Sequence, residues 1–555
     1  MSRLFNLFLI LVFSINTAWA QAPKKFDFVS PLNIPLILSG TFGELRSNHF
    51  HTGLDIKTKG RIGFDVKAIG DGYISRINVS PYGYGKAIYI THPNGYTSVY
   101  AHLNNFSPEI EKLIKTEQYK KKRYSISVYP KKDEIKVLKN QVIAKSGNTG
   151  GSAGPHLHFE IRDTKTQRPQ NPFNFGYKVK DNKKPTIRTA FVYSFDNNRE
   201  DILSLEKIRK NNSIDTISVP SGWVGLGVDS YDRLDNARNK NGVYSVKLFV
   251  DNTIYFEYKM DELNFNEQRY INSFIDYAYY KDNKRRIQKL FLDPGNKLNL
   301  YDSIVNNGYL KIERNKYYPI KILVEDYKGN KTIDSFLLKG EETKRITSNK
   351  SKIIFDYSKD NLFETNNFRI KIPKGALYKN ANFYYSYSDS IYHVGDSNIP
   401  LQKSCSIDLK ISNKNDSLAN KMIIVSISDR GYSIYSGGKI KDGYISTKTR
   451  NFGKYKISYD TISPTITPIN IRKGKWMSKD KYLTVKIKDD ISGIKSYKGE
   501  IDGRWIRMAY NAKKGTLKYN FKDLKLKGEK HTFTIVVKDN VNNTTEYKVL
   551  FYRKD

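Results

Sequence analysis

The stretch N-H-F-H-T-G-L-D, residues 48–55, sets His49, His51 and Asp55 within eight positions of a 555-residue chain that has only eight histidines. His49, His51, His92, His102, His156 and His158 all fall between positions 49 and 158, whereas His393 and His531 lie apart. A random scatter would leave about one or two histidines in that fifth of the chain, so the clustering itself points to chemistry. In P-H-L-H-F-E-I, residues 155–161, strict alternation sends His156, His158 and Glu160 to one face of a strand. Leu157, Phe159 and Ile161 take the other face, toward a core. Two imidazoles two residues apart on one face can converge on a point, and neutral imidazole is the commonest protein ligand for zinc.

His51 and Asp55 are four residues apart, roughly 13 Å in an extended chain, which is too far for both to reach one ion. The chain must therefore bend between them, and Gly53 supplies the freedom. With His158 they make two nitrogens and one carboxylate oxygen, the three-ligand set of a catalytic zinc that keeps a fourth position for water. A thiolate cage is excluded, because Cys405 is the only cysteine, and its apolar neighbours mark it as a buried structural thiol. Between the two histidine segments, I-Y-I-T-H-P-N-G-Y-T-S-V-Y-A-H-L (88–103) reads as a hairpin turning at Asn94-Gly95. Tyr96, Ser98, Tyr100 and His102 then share a face of the return strand, bringing His102 beside the metal. His92 sits in the turn and reads as an ordinary loop residue.

The elements that position these residues begin after a leader. Arg3, the run L-F-N-L-F-L-I-L-V-F and A-W-A at 18–20 have the order of a secretory signal peptide, cleaved after Ala20. No cysteine follows the apolar run to carry a lipid, and no later segment approaches the roughly 18 apolar residues of a membrane span. The formal net charge of +38 invites a nucleic-acid reading. Export and the even spread of lysine argue against it; with Asn, Ile and Tyr also abundant, the charge reads first as a compositional bias and second as attraction to an acidic envelope polymer, most locally at 115–139.

The segments F-G-E-L-R-S-N-H-F-H-T-G-L-D, G-D-G-Y-I at 70–74, Y-A-H-L and G-N-T-G-G-S-A-G-P-H-L-H-F-E-I resemble the lysostaphin-type, LytM-like zinc metalloendopeptidases, which cut peptide cross-links of bacterial peptidoglycan. The resemblance covers residues 35–165. It implies a small antiparallel β-sheet peptidase fold of the duplicated hybrid motif type and one zinc per chain. Its H-x-x-x-D element falls on His51 and Asp55 and the second histidine of its H-x-H on His158, which makes these the metal ligands. Its two non-ligand active-site histidines fall on His102 and His156. The chain departs from the family after His102, where S-P-E-I-E-K-L-I-K-T-E-Q-Y-K-K-K-R-Y lengthens the link. Its cap and acidic first turn read as a helix from Ser107 that shapes a groove wall. His49 has no ligand role in the motif and reads as a loop residue behind the ligands or a substrate contact.

Beyond residue 177 short alternating runs bounded by Asn, Asp and Gly predict a mainly β remainder of three sandwich modules, immunoglobulin-like in kind. An internal repeat supports two related modules. D-N-K-K-P-T-I at 181 matches D-T-I-S-P-T-I at 460; V-D-S-Y-D at 228 resembles I-K-D-D-I at 487; and I-L-V-E-D-Y-K-G-N-K-T at 322 matches I-V-V-K-D-N-V-N-N-T-T at 535. The expected organisation is a leader at 1–20, the peptidase at 21–176, a sandwich with an insertion around 264–300 at 177–342, a linker at 341–352, a sandwich at 353–459 and another at 461–555. The whole reads as an exported zinc endopeptidase of the periplasm or cell envelope acting on peptidoglycan peptides. Its β modules would meet wall or envelope proteins, with no nucleic acid and no membrane span. Two other readings stand beside it: a non-catalytic regulator of wall hydrolases, and an adhesion protein acting through its modules.

Overall fold

The computed structural model describes residues 27–208, 216–342, 353–412 and 417–554. The expected leader lies outside these residues, as does the linker from 343 onward. Strands make up 46% of the structure and helix 9%, so the mainly β class holds throughout.

The first domain is built on one antiparallel sheet. Seven of its nine strands are β1 (Leu38–Gly40), β2 (Leu54–Lys57), β3 (Gly72–Val79), β4 (Lys86–Thr91), β5 (Tyr96–Ala101), β6 (Ile126–Val128) and β7 (His156–Asp163). They lie in the order β1-β2-β7-β5-β4-β3-β6, which places β7 between β2 and β5. One face carries Leu54, Ile56, Ile88, Ile90, Tyr100, Leu157, Phe159 and Ile161 into a single core. The opposite face of β2, β5 and β7 holds the histidine chemistry. Helix α1 (Pro108–Lys121) starts where the lengthened link predicts, with Pro108 in the first turn and Glu109 and Glu111 beside it. Ser107 makes no side-chain cap bond, so proline's fixed φ and the acidic first turn carry the start.

The next unit pairs two sheets. One contains β8 (Thr186–Phe195) and β9 (Gly222–Tyr231); the other contains β10 (Ser245–Val250), β11 (Thr253–Lys259), β12 (Tyr317–Glu325) and β13 (Lys331–Glu341). The insertion is helical, with short helices at Ile271–Phe274 and Tyr277–Asn283. Its core does not stop at residue 176: Phe42 and Phe50 from the first domain are buried in it, Phe50 edge-on to Phe274 at 5.6 Å. The described residues between 353 and 460 form a second unit of two main sheets around Phe368, Ile370, Cys405, Ile407 and Tyr455. The last unit includes β14 (Tyr482–Lys488), β15 (Ile494–Ile501), β16 (Lys530–Asp539) and β17 (Thr544–Tyr552) around Val485, Leu517 and Phe533.

This last unit returns to the first domain. Lys115 of α1 pairs with buried Asp523 at 2.7 Å, Arg507 reaches Gln118 at 3.0 Å, and Tyr119 stands edge-on to Trp505. The lengthened link therefore packs against the last unit. Lys115 and Lys121, two members of the basic run at 115–139, are held in ion pairs with Asp523 and Glu117. No described helix is long and apolar enough to cross a membrane.

Candidate functional site

The register of β2 against β7 sets Asp55 directly opposite His158, on the same face of the sheet. His51 comes to them from the turn before β2, where its backbone bonds to Gly43 and Glu44 fix it. Asp55 Oδ1 lies 3.0 Å from His51 Nε2 and 2.9 Å from His158 Nδ1, and the two nitrogens are 3.0 Å apart. A tetrahedral zinc with bonds near 2.0–2.1 Å needs ligand atoms roughly 3.3 Å apart, so this triangle fits the ion with a small outward adjustment. All three side chains are buried. Gly53 contributes closeness and not a hinge: a Cβ there would sit 2.3 Å from the carbonyl oxygen of Phe159 on β7, and its φ is not left-handed. Only glycine lets the turn lie flat enough on β7 to bring His51 in.

Behind the triangle stands a layer of partners. His51 Nδ1–H donates to the Thr41 carbonyl at 2.8 Å, leaving Nε2 as the ligand atom. His158 uses the opposite nitrogen: Nε2–H donates to Glu160 Oε1 at 2.8 Å and Nδ1 faces Asp55. Glu160 also accepts from Tyr84 at 2.6 Å, from Thr52, and from Arg162 Nε at 2.6 Å. Tyr84 stacks on the His158 ring at 5.3 Å. Arg46 donates to the outer oxygen of Asp55 at 2.6 Å. The sequence signal for Glu160 was its place in the alternation with His156 and His158; Tyr84, Thr52 and Arg46 had no such signal, because their roles exist only once separate loops meet.

His102 and His156 flank the triangle, their rings 4.8 Å apart and that of His102 5.9 Å from His158. His102 is not on the alternation of β5, which ends at Ala101. Residues paired with the site face of β7 are Val99 and Ala101, and Tyr100 points into the core, so strict alternation would bury His102 there. Its left-handed backbone, φ 59°, turns the ring back to the site face. His102 Nδ1–H then donates to the Thr149 carbonyl at 2.9 Å, and His156 Nδ1–H to the Gly154 carbonyl at 2.8 Å. The glycine-rich loop 147–154 thus fixes both tautomers and leaves both Nε2 atoms facing the site. His156 Nε2 lies 3.3 Å from Asp55 Oδ1.

The remaining histidines stand elsewhere. His49 is exposed, its Nδ1 2.8 Å from the Ser47 carbonyl. His92 is not an ordinary loop residue: it is buried, with Nδ1 2.8 Å from the Asp71 carbonyl and Nε2 2.8 Å from Ser98 Oγ, a structural pin for the hairpin. His393 pairs across strands with Lys454, and buried His531 meets Asp502 at 2.7 Å.

Charge placement suits a cation. Burial opposes ionisation of Asp55, yet His51 and hydrogen bonds from His156 and His158 hold it well below the usual carboxylate range. Burial opposes a proton on His158 too, but hydrogen bonds to Asp55 and Glu160 outweigh it and push its pKa up to about 9. Burial lowers His51, and burial with the neighbouring His158 and His156 lowers His102 to about 3. The site thus holds carboxylate charge and neutral rings, with one proton on His158 where a cation would go.

The model of peptidase family M23 matches residues 49–122 and 115–172, and a Zu5-like domain model matches 352–460. The DD-carboxypeptidase/endopeptidase Mpg of Neisseria meningitidis serogroup B is 34% identical over 128 residues, 23% of this chain and 23% of that protein. The peptidoglycan DD-endopeptidase ShyC of Vibrio cholerae serotype O1 is 27% identical over 148 residues, 27% of this chain and 28% of that one. Among solved structures, the catalytic domain of lysostaphin from Staphylococcus simulans is 26% identical, covering 25% of this chain and 91% of that one with a TM-score of 0.19. The chain spans about a quarter of the length of these curated relatives.

Proposed function

We propose that this chain, whose residues 49–172 are a LytM-like peptidase domain, is an exported zinc-dependent endopeptidase that hydrolyses peptide cross-links or stem peptides of bacterial peptidoglycan in the periplasm or cell envelope. The observation that carries the reading is the triangle of His51, Asp55 and His158, flanked by two histidines whose Nδ1–H groups are tied to backbone carbonyls. Zinc, when bound there, polarises the scissile carbonyl and lowers the pKa of water to about 7. His51 would hold the ion through Nε2, His158 through Nδ1 and Asp55 through Oδ1. Glu160, Thr41 and Arg46 hold those three groups in place.

His102, with its pKa near 3, is neutral around pH 7, and its Nε2 lone pair accepts a hydrogen bond that orients the attacking water. His156 borders the same space and is placed to act at the substrate's carbonyl oxygen or departing amine. A regulator without activity has no need of this complete set, and an adhesion protein has no need of any of it.

The test is digestion of purified peptidoglycan by the zinc-loaded full chain with mass analysis of the products. New peptide termini are expected. His102→Ala and His156→Ala should keep zinc and lose about 10²- to 10⁴-fold in rate. No released termini, or wild-type rates in both variants, would overturn the assignment.

A further inference from the structure

A second group of acids meets far from the histidines in sequence. Asp181 precedes β8, Asp232 follows β9 and Asp326 follows β12; each offers a carboxylate oxygen within 4.8 Å of the others. They are exposed by only 6%, 3% and 3%. Lys183 N–H donates to Asp181, and Asn330 donates through its backbone and side-chain amide to the two oxygens of Asp326. Asp232 differs: its Oδ1 is buried and has no hydrogen-bond partner. Burial and the neighbouring Asp181 and Asp326 disfavour its ionised form more than the Arg233 backbone N–H and Lys183 favour it, so an unpartnered buried oxygen remains. Among the described residues none of the three aspartates makes an ion pair. They line a cavity of about 240 Å³ whose other walls include Thr41 of the first domain, Tyr177, Tyr244 and Tyr327, with Lys178 and Lys328 also on the wall.

We propose that Asp181, Asp232 and Asp326 bind one calcium ion at the seam between the catalytic domain and the first two-sheet unit. The donors are all oxygen, which disfavours zinc, and the cavity leaves space for the waters and carbonyls that complete the six to eight ligands calcium takes in flexible geometry. Because β9 and β12 belong to opposite sheets, the ion ties both sheet ends to the connection at Asp181. Thr41, on the facing wall, is the residue whose carbonyl holds His51, so the ion stiffens the seat of the catalytic site without touching it.

The repeat places a twin group in the last unit, where Asp460, Asp489 and Asp539 also converge within 4.8 Å. Matching Val228–Asp232 to Ile487–Ile491 in sequence sets Asp232 against Ile491. The strand ends correct this: Asp232 and Asp489 are each the first residue after their strand. In the twin, backbone N–H groups of Ser492, Gly493 and Asn543 satisfy one oxygen of each acid, and the proposal does not extend to it.

The test uses the zinc-loaded full chain, with calcium alone followed by calorimetry and with terbium read through tyrosine-sensitised emission from Tyr177, Tyr244 and Tyr327. Wild type should bind one calcium more than Asp232→Asn, or bind it about tenfold or more tightly. Calcium should raise the melting temperature of wild type more than that of the variant, with zinc content unchanged. Equal calcium stoichiometry, affinity and melting shift in the two proteins overturns the proposal. If Asp232→Asn does not fold, Asp326→Asn takes its place. Wild type that gives neither terbium emission displaceable by calcium nor a calcium-dependent melting shift overturns it without any variant.

Discussion

His158 stands between two carboxylates, and that placement makes the metal site a competition between zinc and a proton. With the metal absent, its pKa is raised from 6.5 to about 9. The proton therefore stabilises the metal-free fold fully below about pH 6.5, and that contribution is lost as pH rises through about 9. Zinc needs the neutral ring, so its uptake near pH 7 should release one proton from His158 and none from His51, whose pKa is lowered. Apparent zinc affinity should then climb about tenfold per pH unit from about pH 6 to about pH 8. Competition with a chelator of known affinity measures the slope, and a flat profile would rule out His158 as the protonated ligand. The ligand types and their spacing were legible in the sequence. The proton was not, because it depends on Glu160 and Asp55 approaching one ring from two strands.

Among the elements, β7 does the most, since its alternation divides core from chemistry over eight residues and its register against β2 aligns Asp55 with His158. Gly53 is the point at which the turn before β2 must lie against β7. Gly53→Ala drives a methyl group to 2.3 Å from the Phe159 carbonyl, which the backbone must move to relieve. A loss of about 1–3 kcal/mol in stability is expected, with weaker zinc retention because His51 moves with the turn. Denaturant unfolding and elemental analysis of the same preparation check both; unchanged values would mean the contact is not tight. His102 teaches the complementary lesson. Periodicity brings it to the site by the wrong face, and a single left-handed residue after the strand corrects the direction, which no pattern of apolar residues can reveal.

The whole molecule closes on itself. The last unit reaches α1 through Arg507 and Trp505 and the glycine-rich loop through Lys513, whose ammonium donates to the Asn148 carbonyl at 2.8 Å and to that of Ser152. The loop that fixes His102 and His156 is therefore braced by residues some 360 positions away. At the other end Phe42 and Phe50, exposed by 4% and 0%, belong to the core of the first two-sheet unit. A fragment ending at residue 176 would return both aromatic rings to water, about 3–6 kcal/mol against the roughly 5–15 kcal/mol that holds a domain together. Residues 27–176 alone should show no cooperative thermal transition by circular dichroism, whereas 27–342 should melt cooperatively and hold zinc. Cooperative melting of the short fragment at the temperature of the full chain would disprove the shared core.

Residue types alone carried the mainly β class, the alternation of β7 and the bend that His51 and Asp55 need, whereas His158 was joined to those two through resemblance to a family. The alternation and the His51–Asp55 spacing are local, set by sterics and strand periodicity over a few residues. Only the tertiary structure decided the direction of His102, the buried pin at His92, the packing of α1 on the last unit and the meeting of Asp181, Asp232 and Asp326. Those depend on which distant segments share a wall, and that choice is made by the summed burial of several cores and not by any one stretch of chain.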